Sequence, residues 1–340
     1  MQPMAIIFGI TSQDGLLLSR LLLRKGYTVI GFGRSASIRD NQNLASLGHK
    51  VQFFNGDVTN SESIRAAFYK YPVSEIYNFA AQSRPGESWR LALETGEVNA
   101  MAAHRLFDLA LHLRPKARIY QASSSEMFGL VRQSPQNEMT PFNPINPYAV
   151  AKTYAHNMAR IYRETYGSYI ACGILFNHES RYRARHFLCQ KVTYGVACAK
   201  LGIINSPDKN ERDEPLVRGA KLSLGNLGAE RDWGFAGDYV EAIWLMLQQP
   251  KPEDFVIGTG LKHSVAEMCE IAYRSAGLDW RDHVISDTRF LRPLETGSTV
   301  ADASKARDIL GWTPKTSFKD MLRDMIAAHI ERLKLQNGAP

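Results

Sequence analysis

The chain has 340 residues, of which 44% are hydrophobic and 22% charged, a composition typical of a globular protein with a large core. No run approaches the roughly 20 apolar residues of a membrane helix, and the N-terminal run MAIIFGI is too short for a secretory leader. The net charge of +7 favours an anionic partner, and without a nucleic-acid motif a small phosphorylated ligand fits better than nucleic acid, although a plain solvated basic surface stays possible.

The first half of the chain alternates strand and helix patterns. Five short runs rich in Ile, Val, Phe and Tyr predict strands: MAIIFGI, YTVIGF, VQFFNG, EIYNFA and ARIYQAS. Helix-length segments such as DGLLLSRLLLRKG and SESIRAAFYKY lie between them. Since strands buried on both faces read as continuous apolar runs, the alternation predicts a parallel sheet with crossover helices.

The second half begins with a long amphipathic helix, PYAVAKTYAHNMARIYRETYG, which is predicted to end at Gly167. A sixth strand, YIACGILF, follows, and after about residue 177 the loops lengthen. Further helices are predicted at DYVEAIWLMLQQ, SVAEMCEIAYRSAG and FKDMLRDMIAAHIERLKLQ. We therefore predict a doubly wound parallel α/β sheet whose nucleotide-binding domain spans residues 1–177, with returning segments near 221–260. A smaller, discontinuous substrate domain is expected mainly over 178–335.

The cysteines and histidines carry little functional signal. None of the four cysteines forms a C-x-x-C pair, so we expect buried thiols in a reducing cytoplasm. The nine histidines show no metal-ligand spacing, and no metal is expected.

The first strand runs into GITSQDG, Gly9–Gly15, and then into a helix, which is the placement that a dinucleotide loop requires. Its glycines allow the backbone to approach a pyrophosphate, and the helix N-terminus supplies N–H groups. Ser12 stands where a glycine is usual, so its hydroxyl could donate to a phosphate or its Cβ could crowd the cofactor. We expect cofactor binding to be retained.

The residue after the second strand indicates which dinucleotide binds. An NAD site has an acidic residue there to hold the ribose, about 20 positions beyond the loop. This chain has Arg34, which suits a 2′-phosphate, so NADP is predicted; the alternative is a plain surface arginine. Asp57 ends the third strand and is expected either to accept a hydrogen bond from the adenine amino group or to cap the following helix.

Tyr148 and Lys152 are four residues apart at the start of the long helix, so they share one face. The ammonium is expected to lower the pKa of the phenol and to hold the nicotinamide ribose, which leaves Tyr148 as a base towards a sugar hydroxyl. Such a pair often occurs by chance. The upstream dinucleotide loop, together with the segment ASSSEMFG at 122–129, makes it a catalytic candidate.

At these residues the sequence resembles the extended short-chain dehydrogenase/reductases and, among them, the GDP-mannose 4,6-dehydratase family. The resemblance covers nearly the whole chain. It rests on GIT-QDG, YNFAAQS, YQASSSEMFGL, NPYAVAK, GILFNHES, LGN with RDWG, DYVEAIWLMLQQ and LGWTP. It implies a Rossmann sheet, an NADP cofactor, a GDP-sugar substrate and a homo-oligomer, either dimer or tetramer.

The resemblance also implies a mechanism. NADP⁺ takes a hydride from C4 of the hexose while Tyr148, tuned by Lys152, removes the 4-OH proton. Glu126 then abstracts the acidified C5 proton, and the C6 hydroxyl leaves as water with help from Ser124 or Glu126. Return of the hydride to C6 gives GDP-4-keto-6-deoxymannose without net consumption of cofactor.

Binding roles follow from the same resemblance. The expected cofactor residues are Gly9, Thr11, Ser12, Gln13, Asp14, Gly15, Arg34, Asp57, Val58, Ala80, Ala81, Ser83, Tyr148, Lys152, His178 and Arg183. The expected substrate residues are Ser83, Ser124, Asn177, Lys191, Arg231, Arg292 and Glu295.

The chain departs from the family pattern at several positions. Ser124 replaces the usual threonine, which keeps the hydroxyl and loses a methyl group, so activity is expected to survive at an equal or reduced rate. The other departures are Ser12, Ser35, Arg84, Pro85, Asn99 and the segment RYRARHFLCQK at 181–191. Several are expected near the sugar or a subunit interface.

These departures leave two alternatives open. One is a dehydratase, C4-oxidising enzyme or epimerase that acts on another sugar nucleotide. The other is a catalytically impaired paralogue that binds NADP and a sugar nucleotide. Glu126 argues against C4 oxidation alone, because elimination needs a C5 base. The joint presence of Ser124, Glu126, Tyr148 and Lys152 argues against an impaired paralogue.

Overall fold

The computed structural model describes residues 2–35, 38, 41–210, 212–291 and 297–336. The strands in these ranges are β1 Met4–Phe8, β2 Thr28–Gly33, β3 Val51–Asn55, β4 Glu75–Asn78, β5 Arg118–Ser124, β6 Ile170–Leu175, β7 Asn177–Glu179, β8 Val217–Arg218, β9 Lys221–Leu224, β10 Glu230–Phe235, β11 Asp254–Ile257, β12 Lys262–Ser264 and β13 Val284–Ser286. The α-helices are α1 Gln13–Arg24, α2 Gln42–Ala45, α3 Ser61–Lys70, α4 Ala92–Gly96, α5 Ala102–Leu113, α6 Pro147–Tyr166, α7 Leu188–Lys200, α8 Ala236–Met246, α9 Val265–Ser275, α10 Ser304–Leu310 and α11 Phe318–Gln336.

Seven strands form one sheet in the order β11-β6-β5-β4-β1-β2-β3, and every neighbouring pair is parallel. The six predicted strands are therefore confirmed, and β11 adds a seventh at the edge. The chain leaves β1 towards β2 and β3, then returns to build β4, β5 and β6 on the other side. Such a switch point opens a crevice at the carboxyl ends of β1 and β4, where sheets of this kind bind ligands.

Helices cover both faces of the sheet, which confirms the doubly wound class. The apolar sides of α1 and α8 pack on one face, and those of α3, α5 and α6 pack on the other. The helix α6 ends as predicted, because Gly167 adopts φ +68° and caps it.

A further core lies in the second half of the chain. Side chains of α7, α9 and α11 pack together there beside two three-stranded sheets, β12-β10-β7 and β13-β9-β8. The helix α7 was not predicted, because it is buried on most sides and so lacks a polar stripe. The residue boundaries of the two predicted domains stay a prediction.

The cysteines and the apolar lengths of the helices also bear on the sequence expectations. The four cysteines are buried and free. Across the part of the chain that the structure describes, no helix is both long and apolar enough to cross a bilayer.

Candidate active site

The dinucleotide loop is tightly packed. Gly9 has φ +82°, and a Cβ there would lie 2.8 Å from the backbone nitrogen of Ala80. At Gly15 a Cβ would lie 2.6 Å from the carbonyl oxygen of Gly9. Only glycine fits these two positions, so the loop touches the segment after β4 directly.

The Ser12 side chain is accommodated in the loop as a helix cap. It is the N-cap of α1, and its Oγ accepts a hydrogen bond from Gly15 N–H at 3.0 Å. The first-turn N–H groups of Gln13 and Asp14 have no carbonyl within the helix to bond, so they can bind an anion. This cradle fits the pyrophosphate of a nicotinamide dinucleotide.

Arg34 and Asp57 follow the carboxyl ends of the neighbouring strands β2 and β3. Arg34 is exposed, and its charge reaches Asp57. Asp57 Oδ1 accepts from Thr59 N–H at 2.9 Å and from Thr59 Oγ1 at 2.8 Å. These bonds, with a contribution from Arg34, lower the pKa of Asp57. The alternative role for Asp57 as a helix cap is wrong, because Asn60 caps α3.

A narrow apolar crevice lies beside these strand ends. Its walls include Phe8, Val58, Ala80 and Leu106. Val58 and Ala80, two of the expected cofactor residues, thus line the same crevice. Farther along the same segment, Ser83 is exposed.

Ser124, Glu126 and Tyr148 converge at the carboxyl end of β5. Ser124 Oγ accepts from Glu126 N–H at 3.2 Å and is hydrogen-bonded to Tyr148. Burial raises the pKa of Tyr148 to about 12, and the carboxylate of Glu126 acts in the same direction. Ser124, Glu126 and Tyr148, three of the four predicted catalytic residues, therefore lie close enough to interact with one another.

Lys152, the fourth, is buried with 4% of its surface exposed. Its Nζ donates to the carbonyl oxygen of Ala122 at 2.9 Å and lies 5.8 Å from the centroid of the Tyr148 ring. Burial lowers the pKa of Lys152 to about 8, against an opposing effect of Asp14. The expectation that Lys152 brings the phenol pKa down is wrong for this arrangement, because burial of Tyr148 dominates while the ammonium is engaged by a backbone carbonyl.

A second polar cluster joins the dinucleotide loop to β7. His178 Nε2 lies 3.1 Å from Asp14 Oδ2, and His178 Nδ1 donates to the carbonyl oxygen of Phe176 at 2.7 Å. Burial opposes charge on His178, but Asp14 outweighs it and raises the His178 pKa. The charge of Arg183 acts on both Asp14 and Tyr148. The structure therefore brings Asp14, His178 and Arg183 together beside Tyr148.

The predicted substrate residues come from the second half of the chain. Asn177 on β7 is in register with Trp233 on β10, two residues beyond Arg231. Arg231 pairs with Thr299 in an isolated bridge, and Lys191 Nζ lies 5.6 Å from the centroid of the Phe290 ring. Lys191 thus lies near Phe290 and Arg231 near Thr299. Arg292 and Glu295 themselves lie outside the described residues.

Asn146 is a site residue that the sequence analysis missed. Its Oδ1 accepts from Ala149 N–H at 2.8 Å and caps α6, while its Nδ2 donates to Glu126 Oε2 at 3.2 Å. An asparagine directly before a helix that begins with proline is a recognisable cap signal. Asn146 therefore caps α6 and holds the Glu126 carboxylate at the same time.

Three potential metal ligands also meet where α6, β6 and β11 lie together. One ligand atom each of His156, Cys172 and Asp254 lies within 4.8 Å of the others. Arg163 already donates to both carboxylate oxygens of Asp254, at 2.6 and 2.7 Å. Because this guanidinium supplies the cation that the carboxylate needs, we interpret the group as a buried ion pair rather than a metal site.

Comparison with known proteins agrees with this geometry. The family profile described as "GDP-mannose 4,6 dehydratase" matches residues 6–325. GDP-mannose 4,6 dehydratase 1 of Arabidopsis thaliana is 41% identical over 98% of this chain and 91% of its own length.

Two solved structures share the fold. The dTDP-glucose 4,6-dehydratase of Streptomyces venezuelae, solved with NAD, has a TM-score of 0.82 and 23% identity over 98% of both chains. The Pseudomonas aeruginosa protein RMD, solved with NADPH, has a TM-score of 0.80 and 18% identity over 97% of this chain and 100% of its own. The predicted fold class is therefore confirmed, and the profile match with the Arabidopsis relative shows that this chain belongs to the GDP-mannose 4,6-dehydratase family.

Proposed function

We propose that the protein converts GDP-mannose into GDP-4-keto-6-deoxymannose with an NADP cofactor that is regenerated in every turnover. The observation that carries the proposal is the convergence of Ser124, Glu126 and Tyr148 beside the dinucleotide loop in a chain of this family.

Each catalytic side chain has a distinct task. The bound nicotinamide ring supplies the hydride acceptor for C4 and the hydride donor for C6. Tyr148 removes the proton of the C4 hydroxyl, which Ser124 orients through its own hydrogen bond to Tyr148. Glu126, held at Oε2 by Asn146, takes the C5 proton that the new ketone has acidified. The C6 hydroxyl then leaves as water with a proton from Ser124 or Glu126.

Lys152 would hold the nicotinamide ribose. Its Nζ is buried and already bonds a backbone carbonyl at the end of β5, which fixes its place beneath the site. With its pKa lowered to about 8 by burial, Lys152 is still mostly protonated at neutral pH and keeps a positive charge near Tyr148.

The direct test is incubation of the purified protein with NADP and GDP-mannose, followed by detection of a 4-keto-6-deoxy sugar nucleotide. We expect that product to form. Turnover of another GDP-sugar but not of GDP-mannose would replace the proposed substrate. Bound NADP without turnover of any sugar nucleotide would support the impaired paralogue instead.

NADP, rather than NAD, is proposed as the cofactor because the exposed guanidinium of Arg34 follows β2 where an NAD site would place a carboxylate. Changing Arg34 to alanine is expected to weaken NADP binding by about ten- to a hundredfold, the range for loss of one charged hydrogen-bonding partner, with little effect on NAD. Dissociation constants for both dinucleotides check this. Arg24→Ala, an exposed arginine at the far end of α1, is the control; an unchanged NADP preference in Arg34→Ala would contradict the assignment.

A homo-oligomer is also part of the proposal. Val150, Tyr154 and Ile161 are 54%, 38% and 40% exposed and lie on one face of α6, since they are four and seven residues apart. Leu93 and Met101, on the helical segment packed against α6, are 92% and 44% exposed. A second copy related by a two-fold axis would cover this apolar face with the same face of its own.

Ile161→Glu is therefore expected to shift the protein towards the monomer, because a carboxylate would be buried in the contact. Light scattering on purified protein at several concentrations measures the shift. Leu335→Glu, which places the same charge on an exposed leucine at the end of α11, should leave the mass unchanged. A wild-type protein that is already monomeric would refute the proposal.

A cytoplasmic location completes the proposal. Four free, buried thiols are typical of proteins in a reducing compartment. Recovery of the protein with membranes or in the secreted fraction of its cells would contradict it.

A further inference from the structure

We propose that Asp232 is a positioning residue, which holds Arg231 in place for the substrate by tying β10 to two neighbouring segments. These are the β11–β12 loop, residues 258–261, and segment 299–301. Arg231 precedes Asp232 on β10 and is one of the expected substrate residues. The inference rests on the proposed function for the role of Arg231, but its binding measurement requires no turnover.

The Asp232 carboxylate is enclosed and accepts four hydrogen bonds. The residue is 0% exposed. Its Oδ1 accepts from Thr259 N–H at 3.0 Å and from Thr259 Oγ1 at 2.6 Å. Its Oδ2 accepts from Gly260 N–H at 2.8 Å and from Ala301 N–H at 3.1 Å. Because these donors belong to the β11–β12 loop and to segment 299–301, one side chain joins both segments to β10.

Segment 299–301 also pairs with the backbone of β10 at Arg231. Arg231 and Thr299 form a parallel bridge, and Asp232 N–H donates to the carbonyl oxygen of Thr299 at 3.2 Å. Successive side chains of a strand point to opposite faces, so Arg231 points away from the Asp232 carboxylate. Asp232 therefore acts on Arg231 through the backbone, since it fixes the strand that carries the guanidinium.

Gln136 anchors segment 299–301 to the region of the proposed C5 base. Gln136 is fully buried and follows Glu126 by ten residues along the chain. Its N–H donates to the carbonyl oxygen of Val300 at 2.9 Å, and its Oε1 accepts from Val300 N–H at 2.9 Å. Asp302 N–H donates to the carbonyl oxygen of Gln136 at 2.8 Å. Segment 299–301 therefore links the strand of the expected substrate arginine to the segment that follows Glu126.

An asparagine at position 232 would keep the shape of the side chain but only one acceptor oxygen. Its Nδ2 would face either Thr259 N–H or the N–H groups of Gly260 and Ala301, and two donors cannot pair. The surroundings are closely packed, because a Cβ at Gly258 would lie 2.3 Å from Ala301 Cβ and 3.0 Å from Asp232 Oδ2. At least one N–H group must then lose its acceptor, or the segments must move apart.

The experiment measures the dissociation constant of GDP for wild type and Asp232→Asn by calorimetry. We expect the variant to bind GDP about ten- to a hundredfold more weakly, the cost of leaving a buried polar group unpaired. The KM for GDP-mannose should rise with it. The kcat and the affinity for NADP should change little, because Glu126, Tyr148, Lys152 and the dinucleotide loop lie on other elements.

A double-mutant cycle separates positioning of Arg231 from a general structural role. Arg231→Ala alone should weaken GDP binding by about ten- to a hundredfold, the range for loss of a charged hydrogen-bonding partner. If Asp232 acts through Arg231, adding Asp232→Asn to Arg231→Ala should cost little further affinity. Equal losses from Asp232→Asn in the two backgrounds would overturn the proposal.

Asp238→Asn is the matched control. Asp238 is also a buried carboxylate, and its Oδ2 accepts from Lys315 N–H at 2.9 Å and from Thr316 N–H at 2.8 Å. It joins α8 to a segment that carries none of the expected substrate residues. Its substitution should lower the melting temperature but leave the GDP affinity unchanged. The same loss of GDP affinity in both variants would mean that general loosening weakens binding, which would overturn the proposal.

Thr259→Val is a milder variant, which keeps the test valid if Asp232→Asn does not fold. Valine keeps the shape of threonine and removes the hydroxyl that donates to Asp232 Oδ1. GDP binding should weaken by about two- to tenfold, the range for one hydrogen bond. Wild-type GDP affinity in this variant would overturn the proposal. Wild-type protein that binds GDP but converts no sugar nucleotide would instead refute the proposed function and leave the binding result intact.

Discussion

Glu126→Gln is expected to lower the rate of GDP-mannose dehydration by about 100- to 10,000-fold, the range for loss of a general base. The affinity for NADP should stay unchanged. Glutamine keeps the shape of the side chain and an oxygen that can accept from Asn146, so the geometry at the end of β5 should persist. Only the ability to take the C5 proton is lost. Oxidation at C4 does not use this carboxylate, so the reduced cofactor should accumulate on the variant.

Two measurements check this expectation. Product formation gives the loss of turnover, and nicotinamide absorbance after rapid mixing with GDP-mannose shows whether C4 oxidation still occurs. Glu138→Gln is the matched control: Glu138 accepts from Val256 N–H at the edge strand, and its substitution should not affect turnover. Wild-type turnover in Glu126→Gln would remove Glu126 from its assigned role.

The fold was predictable where the signal is continuous along the chain. The strands β1, β2, β4, β5 and β6 are apolar runs that are largely buried, whereas β3 is a more exposed edge strand that still carries Val51 and Phe53–Phe54; the sequence located all six. The edge strand β11 has only four residues and begins with Asp254, so it carries too little pattern to be recognised. The α4–α5 segment was missed for a related reason: a π-turn at Glu97–Met101 shifts the helical period in the middle, and Gly96 and Asn99 are poor helix formers.

In the candidate site, too, the residues that lie close together in sequence were predictable and the contacts between distant residues were not. The dinucleotide loop and the Tyr148–Lys152 pair are local in sequence, so their spacing, together with the neighbouring motifs and predicted elements, indicated them. The contacts of Asn146 with Glu126 and of Asp232 with Ala301 join residues 20 and 69 positions apart, and only the fold brings them together. The pKa of Tyr148 was misjudged because burial, which decides it, cannot be obtained from the separation of two residues in sequence.

Tyr148→Phe should lower the rates of both C4 oxidation and dehydration by about 100- to 10,000-fold. The phenol oxygen is the proposed acceptor of the C4 hydroxyl proton, and no other group replaces it in the variant. The ring remains, so the packing at the start of α6 and the binding of NADP should change little. Ser124 loses the Tyr148 hydroxyl as a partner but keeps the hydrogen bond that its Oγ accepts from Glu126 N–H.

This variant differs from Glu126→Gln in one observable. After rapid mixing with GDP-mannose, Glu126→Gln should accumulate reduced cofactor, whereas Tyr148→Phe should form none, because the first proton transfer fails. Tyr166→Phe, on the exposed end of the same helix, is the control and should behave as wild type. Reduced cofactor formed by Tyr148→Phe at the wild-type rate would mean that Tyr148 is not the base. Lys152, whose pKa of about 8 leaves part of it neutral at mildly alkaline pH, would then be the group positioned to take that proton.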